Sequence, residues 1–113
     1  MGAKRDPKKP WPKHGAFLKA ALLYLNKLTN AYFFPVSQGP YSRKGISDII
    51  GCYCGRFVAI ELKTARDRAT PLQEAFQARC HLADGLAFVA WTMDDISNRL
   101  KTLAPDNEEH FNF

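Results

Sequence analysis

The chain has no long hydrophobic stretch. Its longest uninterrupted apolar runs, residues 20–25 and 86–91, hold six residues each, whereas crossing a bilayer as a helix takes about 20. Neither run spans a membrane. Cysteine is scarce too, with three in 113 residues, and Cys52 and Cys54 lie too close along one predicted strand to bridge readily. A disulfide framework is therefore not expected and the thiols are read as free. Lys19 interrupts the only early apolar stretch, which excludes a signal-peptide core, and Asp6 stands where a myristoylation signal wants Ser or Thr. The expected location is cytoplasmic. Wholesale disorder is excluded as well, because 46% of the residues are hydrophobic and 24% charged, an ordinary balance for one folded domain of this length.

Acidic residues are almost missing from the first part of the chain. Residues 1–44 carry nine Lys or Arg against Asp6 alone, a net charge of +8, while the remainder holds seven basic and ten acidic residues, a net charge of −3. Such a segment attracts polyanions, and nucleic acid is the commonest of these for a basic domain. A solvated basic tail without a ligand is the plain alternative.

Hydrophobic periodicity predicts the elements in the order α-β-β-β-α-β-α. Residues 1–13, with three prolines and five basic residues, read as a flexible basic arm. Residues 14–103 read as a single domain and 104–113 as a tail. Phe17, Ala21, Tyr24, Leu25 and Leu28 recur at helical spacing over 14–29. The run 31–36 is aromatic and β-prone, and Pro35 assigns it to a sheet edge or strand end. After a Gly- and Pro-containing basic loop, strands are expected over 46–53 and 56–63, joined by Cys54-Gly55 as a two-residue turn. Thr70-Pro71-Leu72-Gln73 combines an N-cap, a proline at the first helical turn and a capping-box Gln. The helix it opens carries Leu72, Ala75, Phe76, Cys80 and Ala83 on one side and is expected to end at Gly85. Residues 86–91 read as a strand buried on both faces, and Asp94 and Asp95 open a last helix that turns Ile96, Leu100 and Leu103 inward. The strand, helix and strand over 56–91 fit a right-handed parallel crossover. The expected fold is α/β, a mixed sheet with helices on its faces.

Three charged residues fall inside or beside these apolar strands. Burying charge is costly, so Asp48, Glu61 and Lys63 require a reason. Residues two apart on a strand share a face, which puts Glu61 and Lys63 together. A two-residue turn at Cys54-Gly55 sets Asp48 opposite Glu61, with Cβ atoms about 5 Å apart. Two carboxylates at that separation repel unless a positive charge lies among them. Mg²⁺ or Mn²⁺ meets that need while leaving room for water and phosphate oxygens, an arrangement suited to phosphodiester hydrolysis. Lys63 then stands where an ammonium orients the attacking water and offsets developing charge. The alternative is a surface ion-pair set in which Lys63 only neutralises the two acids.

The string Gly45-Ile-Ser-Asp48-Ile, the strand ending Ile-Glu61-Leu-Lys63 and the helix starting Thr70-Pro-Leu-Gln73-Glu-Ala-Phe together resemble the virus-type replication-repair nuclease (VRR-NUC) domain of the PD-(D/E)XK superfamily. The resemblance covers residues 14–91. It implies a restriction-endonuclease-like fold and a metal-dependent endodeoxyribonuclease, with Asp48 and Glu61 as metal-binding acids, Lys63 as catalytic lysine and the Leu62 carbonyl as a further metal ligand. Gln73 matches the family's helical Gln, although the capping box alone also explains it. Stand-alone members act as homodimers on branched DNA such as four-way junctions, in recombination and repair, which points to a bacterial or phage-infected cell. Helix one and the aromatic edge strand are the expected dimer surfaces. Two departures stand out: residues 14–29 contain no Asp or Glu, where the family often supplies a further acid, and Ser47 replaces a proline. The missing acid favours one metal over two. Asn26, His14 or Gln38 could assist through water.

Arg43 and Lys44 precede the Asp48 strand and Arg66 and Arg68 follow the Glu61 strand, so both pairs are expected to hold phosphates, with solvated loop charge as the alternative. Cys52, Cys54, Cys80 and His81 do not have zinc spacing. Tyr32, Phe33 and Phe34 read as core or interface. A non-catalytic basic DNA-binding module and a sequence-specific restriction-type endonuclease are the competing functions.

Overall fold

Phe17, Ala21 and Leu25 form a stripe at four-residue spacing, and helix α1 (His14–Leu25) buries all three. The structure, a computed structural model, describes residues 13–37, 44–65 and 67–104. The arm expected over 1–13 and the tail over 104–113 therefore lie almost wholly outside the described residues. Helix α1 stops at Leu25 rather than near residue 29, because Asn26 leaves helical geometry and turns its side chain onto β1 (Ala31–Pro35). Its amide nitrogen donates to Phe33 O at 3.1 Å and its oxygen accepts from Phe33 N at 3.0 Å. Asn26 is thus a tie between the helix and the first strand, not a member of the site.

Strand β1 pairs antiparallel with β2 (Ile49–Tyr53), which pairs antiparallel with β3 (Arg56–Leu62). The turn between β2 and β3 has positive φ at both central residues, 52° at Cys54 and 82° at Gly55, the signature of a type I′ hairpin. Its register runs from Tyr53↔Arg56 to Ile49↔Ile60. The β2 strand begins three residues later than its composition suggests, because Gly45 turns the chain at φ 84° and Ile46 to Asp48 approach the sheet without strand geometry. Strand β4 (Leu86–Ala90) runs parallel to β3, giving a four-stranded mixed sheet in the order β1-β2-β3-β4. Helix α2 (Pro71–Leu82) makes the crossover, and α3 (Met93–Leu100) follows β4.

Alternation along the strands divides the sheet into two unlike faces. On one, Val58, Ile60 and Leu62 stand with Leu86, Phe88 and Ala90 and join Phe17, Ala21 and Leu25 of α1 and Ile96 and Leu100 of α3 in a single core. Helix α2 lies on the other face, where Gln73 reaches Glu61. With helices on both sides, β4 is buried along almost its whole length although it ends the sheet.

Helix α2 starts as its sequence predicts, with a reciprocal capping box between Thr70 and Gln73. Its end differs. Asp84, at φ 65°, takes the left-handed position expected of Gly85, and the bonds Gly85 N to Cys80 O (2.8 Å) and Asp84 N to His81 O (3.1 Å) complete a Schellman motif. Gly85 is small for a different reason: a Cβ there would lie 3.2 Å from the Phe57 ring. The apolar side of α2 also has an unexpected place. The helix buries no residue fully, and Leu72, Ala75, Phe76, Cys80 and Ala83 instead line an open groove of about 460 Å³ with Phe57. Among the described residues no helix is long and apolar enough to cross a membrane.

Candidate active site

Asp48 sits one residue ahead of β2, and the hairpin register continued by one position places it opposite Glu61. The link is direct. Asp48 Oδ2 accepts the backbone N–H of Leu62 at 2.8 Å, so the acid of one strand clamps the end of the next. Glu61, the next-to-last residue of β3, is 4% exposed and leans toward α2. Its Oε2 lies 3.1 Å from Lys63 Nζ and accepts a hydrogen bond from Gln73 Nε2 at 2.9 Å.

Its second oxygen, Oε1, is buried with no hydrogen-bond partner. Burial of the carboxylate and the negative charge of Asp48 beside it push the Glu61 carboxyl above the usual range, while Lys63, and to a smaller extent His14, pull it back. The expected pair of mutually repelling acids next to one ammonium is therefore present. So is a feature that strand spacing does not reveal: Gln73 divides its amide between the two roles weighed for it. Its Oε1 accepts from Thr70 N at 2.9 Å in the capping box, and its Nε2 serves Glu61.

Helix α1 contributes His14, whose Nε2 lies 3.2 Å from Asp48 Oδ2. Of the three polar residues that could assist from outside the strands, His14 reaches the acids, Asn26 is taken by Phe33, and Gln38 lies outside the described residues. Glycine decides how α2 meets this cluster. A Cβ on Gly45 would lie 2.8 Å from Leu72 O and 2.9 Å from Leu72 Cβ, so only a residue without a side chain lets the segment leading to Asp48 pass the first turn of α2.

A divalent cation suits these donors. The orphaned Glu61 oxygen lacks a positive or donating partner, and the Asp48 carboxylate is the nearby charge that raises its pKa; a hard cation bound by both would relieve each cost. Among the described residues no three His, Cys, Asp or Glu side chains are already gathered as a ligand set, so water and substrate oxygens would complete the coordination.

The basic candidates are dispersed. Lys44 is exposed and borders the α2 groove together with Arg79, a groove whose lining includes neither acid. Arg68 is exposed in the connection between β3 and α2, a connection held to the end of β4 by the bond from Trp91 Nε1 to Asp67 O at 3.0 Å. Arg43 and Arg66 lie outside the described residues. Cys52, Cys54 and Cys80 are free thiols on a strand, a turn and a helix, and His81 Nε2 accepts from Ala87 N at 3.3 Å. Phe33 is buried, whereas Tyr32 and Phe34 stack at 5.9 Å on the exposed side of β1. Comparison with protein-family models, with curated proteins and with solved structures returns no match to this chain.

Proposed function

We propose that the protein is a metal-dependent endodeoxyribonuclease of the restriction-endonuclease-like fold class, akin to VRR-NUC nucleases. The observation that carries this reading is the buried, unpartnered Oε1 of Glu61 beside the Asp48 carboxylate. An ion-pair set serving stability alone has no use for an acid held in this state, since an apolar residue in its place costs less. Asp48 and Glu61 would hold Mg²⁺ or Mn²⁺, with the Leu62 carbonyl as a further donor. When bound, the cation supplies Lewis-acid polarisation of a phosphoryl oxygen and a more acidic water.

The chain's own groups divide the remaining work. Lys63 Nζ, 3.1 Å from Glu61 Oε2, orients the attacking water and offsets the charge that builds on the phosphate. Gln73 fixes the Glu61 carboxylate from the helix side. The exposed Lys44 and Arg68 and the net charge of +5 favour a polyanionic substrate. A two-fold homodimer follows from the need to cut two strands with one site per chain, and the exposed Tyr32 and Phe34 of edge strand β1 suit its interface. Branched DNA, including four-way junctions, is the proposed substrate.

The test is Glu61→Gln, which keeps the side chain's shape and removes its charge. Wild-type protein with Mg²⁺ or Mn²⁺ is expected to cut four-way junctions or flaps, and the variant to bind the same DNA without cutting it. DNA binding with no cleavage by the wild type on any duplex, flap or junction substrate identifies a non-catalytic module instead. Cleavage at one sequence regardless of branching identifies a restriction-type enzyme.

A further inference from the structure

We infer that His14 is a third protein ligand of the cation held by Asp48 and Glu61, which makes the site a mixed nitrogen and oxygen one selective for Mn²⁺-like ions over Mg²⁺. This rests on the nuclease reading and specifies its metal.

His14 is the first residue of α1, and its Nε2 lies 3.2 Å from Asp48 Oδ2. Two ligands at right angles on an ion with bonds of about 2.1 Å lie about 3 Å apart, so the contact already has nearly the separation of neighbouring ligands. Asp48 is itself anchored, because the same oxygen receives Leu62 N at 2.8 Å. The imidazole also acts electrostatically on Glu61, where it opposes the effect of Asp48. The side chain of His14 is 48% exposed and that of Asp48 12%, so the ring can adjust by rotation while the acids stay fixed by the sheet.

A simple surface pair between His14 and Asp48 would explain the contact, but not its company. The buried, unpartnered oxygen of Glu61 belongs to the same cluster and independently asks for a cation. Carboxylates alone suit Mg²⁺, which prefers oxygen donors; an imidazole nitrogen moves the preference toward first-row transition ions. Helix α1 contains no acid, so His14 is the donor this helix offers to the site.

The experiment is titration of the full chain, without DNA, with MnCl₂ and separately with MgCl₂, followed by calorimetry and by Mn²⁺ paramagnetic resonance. Wild type, His14→Ala, His14→Glu and Glu61→Gln are compared. His14→Ala is expected to weaken Mn²⁺ binding by about tenfold or more and to change Mg²⁺ binding far less. His14→Glu is expected to restore affinity while shifting preference toward Mg²⁺. In ¹⁵N-labelled wild type, Mn²⁺ should selectively broaden the His14 ring resonances, a signature that a helix-stabilising role would not produce. If His14→Ala binds both ions as wild type does while Glu61→Gln binds neither, the histidine is no ligand, yet the two-acid site stands. If wild type binds neither ion, both this inference and the nuclease reading fall.

Discussion

Gln73 and Glu61 join a helix start to a strand end: the amide nitrogen of Gln73 donates to Glu61 Oε2 at 2.9 Å while its oxygen closes the capping box on Thr70. The signal that begins α2 therefore also sets the orientation of the buried acid. Because the two functions use different atoms of one side chain, they can be separated by mutation.

Thr70→Ala removes the cap and leaves the Gln73 to Glu61 bond in place. It should lower stability by about 1 kcal/mol with cleavage largely retained. Gln73→Ala should cost a similar amount in urea unfolding and, in addition, slow single-turnover cleavage. Equal cleavage by the two variants would reduce Gln73 to a helix cap.

Glu61 holds its proton to higher pH in the folded protein than in the unfolded chain. Between the two pKa values the native state binds more protons, so stability should fall as pH rises from the ordinary glutamate range through the raised value. Below the ordinary range this contribution is fully present. Glu61→Gln should flatten the slope without losing stability at neutral pH. Urea midpoints measured across the acidic to neutral range check this, and a slope unchanged in the variant would place the titration elsewhere.

Gly45→Ala meets two obstacles, a φ of 84° and Leu72 backbone and Cβ atoms within 2.9 Å. The expected loss is about 2 kcal/mol or more. It should also push α2 away from the strand entry and so weaken cleavage beyond the stability effect. Backbone amide shifts in NMR spectra should move at residues 45–48 and 70–73. Shifts confined to residue 45 and its chain neighbours would show that the contact with α2 yields easily.

Asp84→Gly should stabilise the protein. Asp84 is exposed and holds φ 65° at the end of α2, where glycine has no Cβ penalty and where a negative charge opposes the helix dipole. The bond from Arg56 Nη1 goes to the Asp84 carbonyl, which the substitution keeps. A gain of about 0.5–1 kcal/mol is expected in thermal unfolding, with cleavage unchanged; a loss would mean that the Asp84 side chain contributes more than its backbone costs.

Much of this architecture was legible because it depends on fixed local periods. The turn at Cys54-Gly55 has two residues, so the hairpin register and the opposition of Asp48 to Glu61 followed by counting, and strand alternation put Lys63 beside Glu61. The Thr70 cap was readable from four consecutive residues. The end of α2 was misplaced by one position because Asp can adopt the left-handed conformation for which Gly is the commoner choice. Helix α1 was drawn too long because its apolar spacing continues to Leu28, whereas the bonds from Asn26 to Phe33 that end it connect two elements.

The amino-acid sequence by itself thus determined the hairpin, the helix start and the acid pair with its lysine, all of which join residues through strand pairing or within a few positions. Only the tertiary structure decided that His14, 34 residues before Asp48, reaches the acids while Asn26 does not, and that the apolar side of α2 lines an open groove. Those outcomes depend on the angle and distance at which each helix packs on the sheet. Packing is set by the summed shape of many side chains, and no local period encodes that sum.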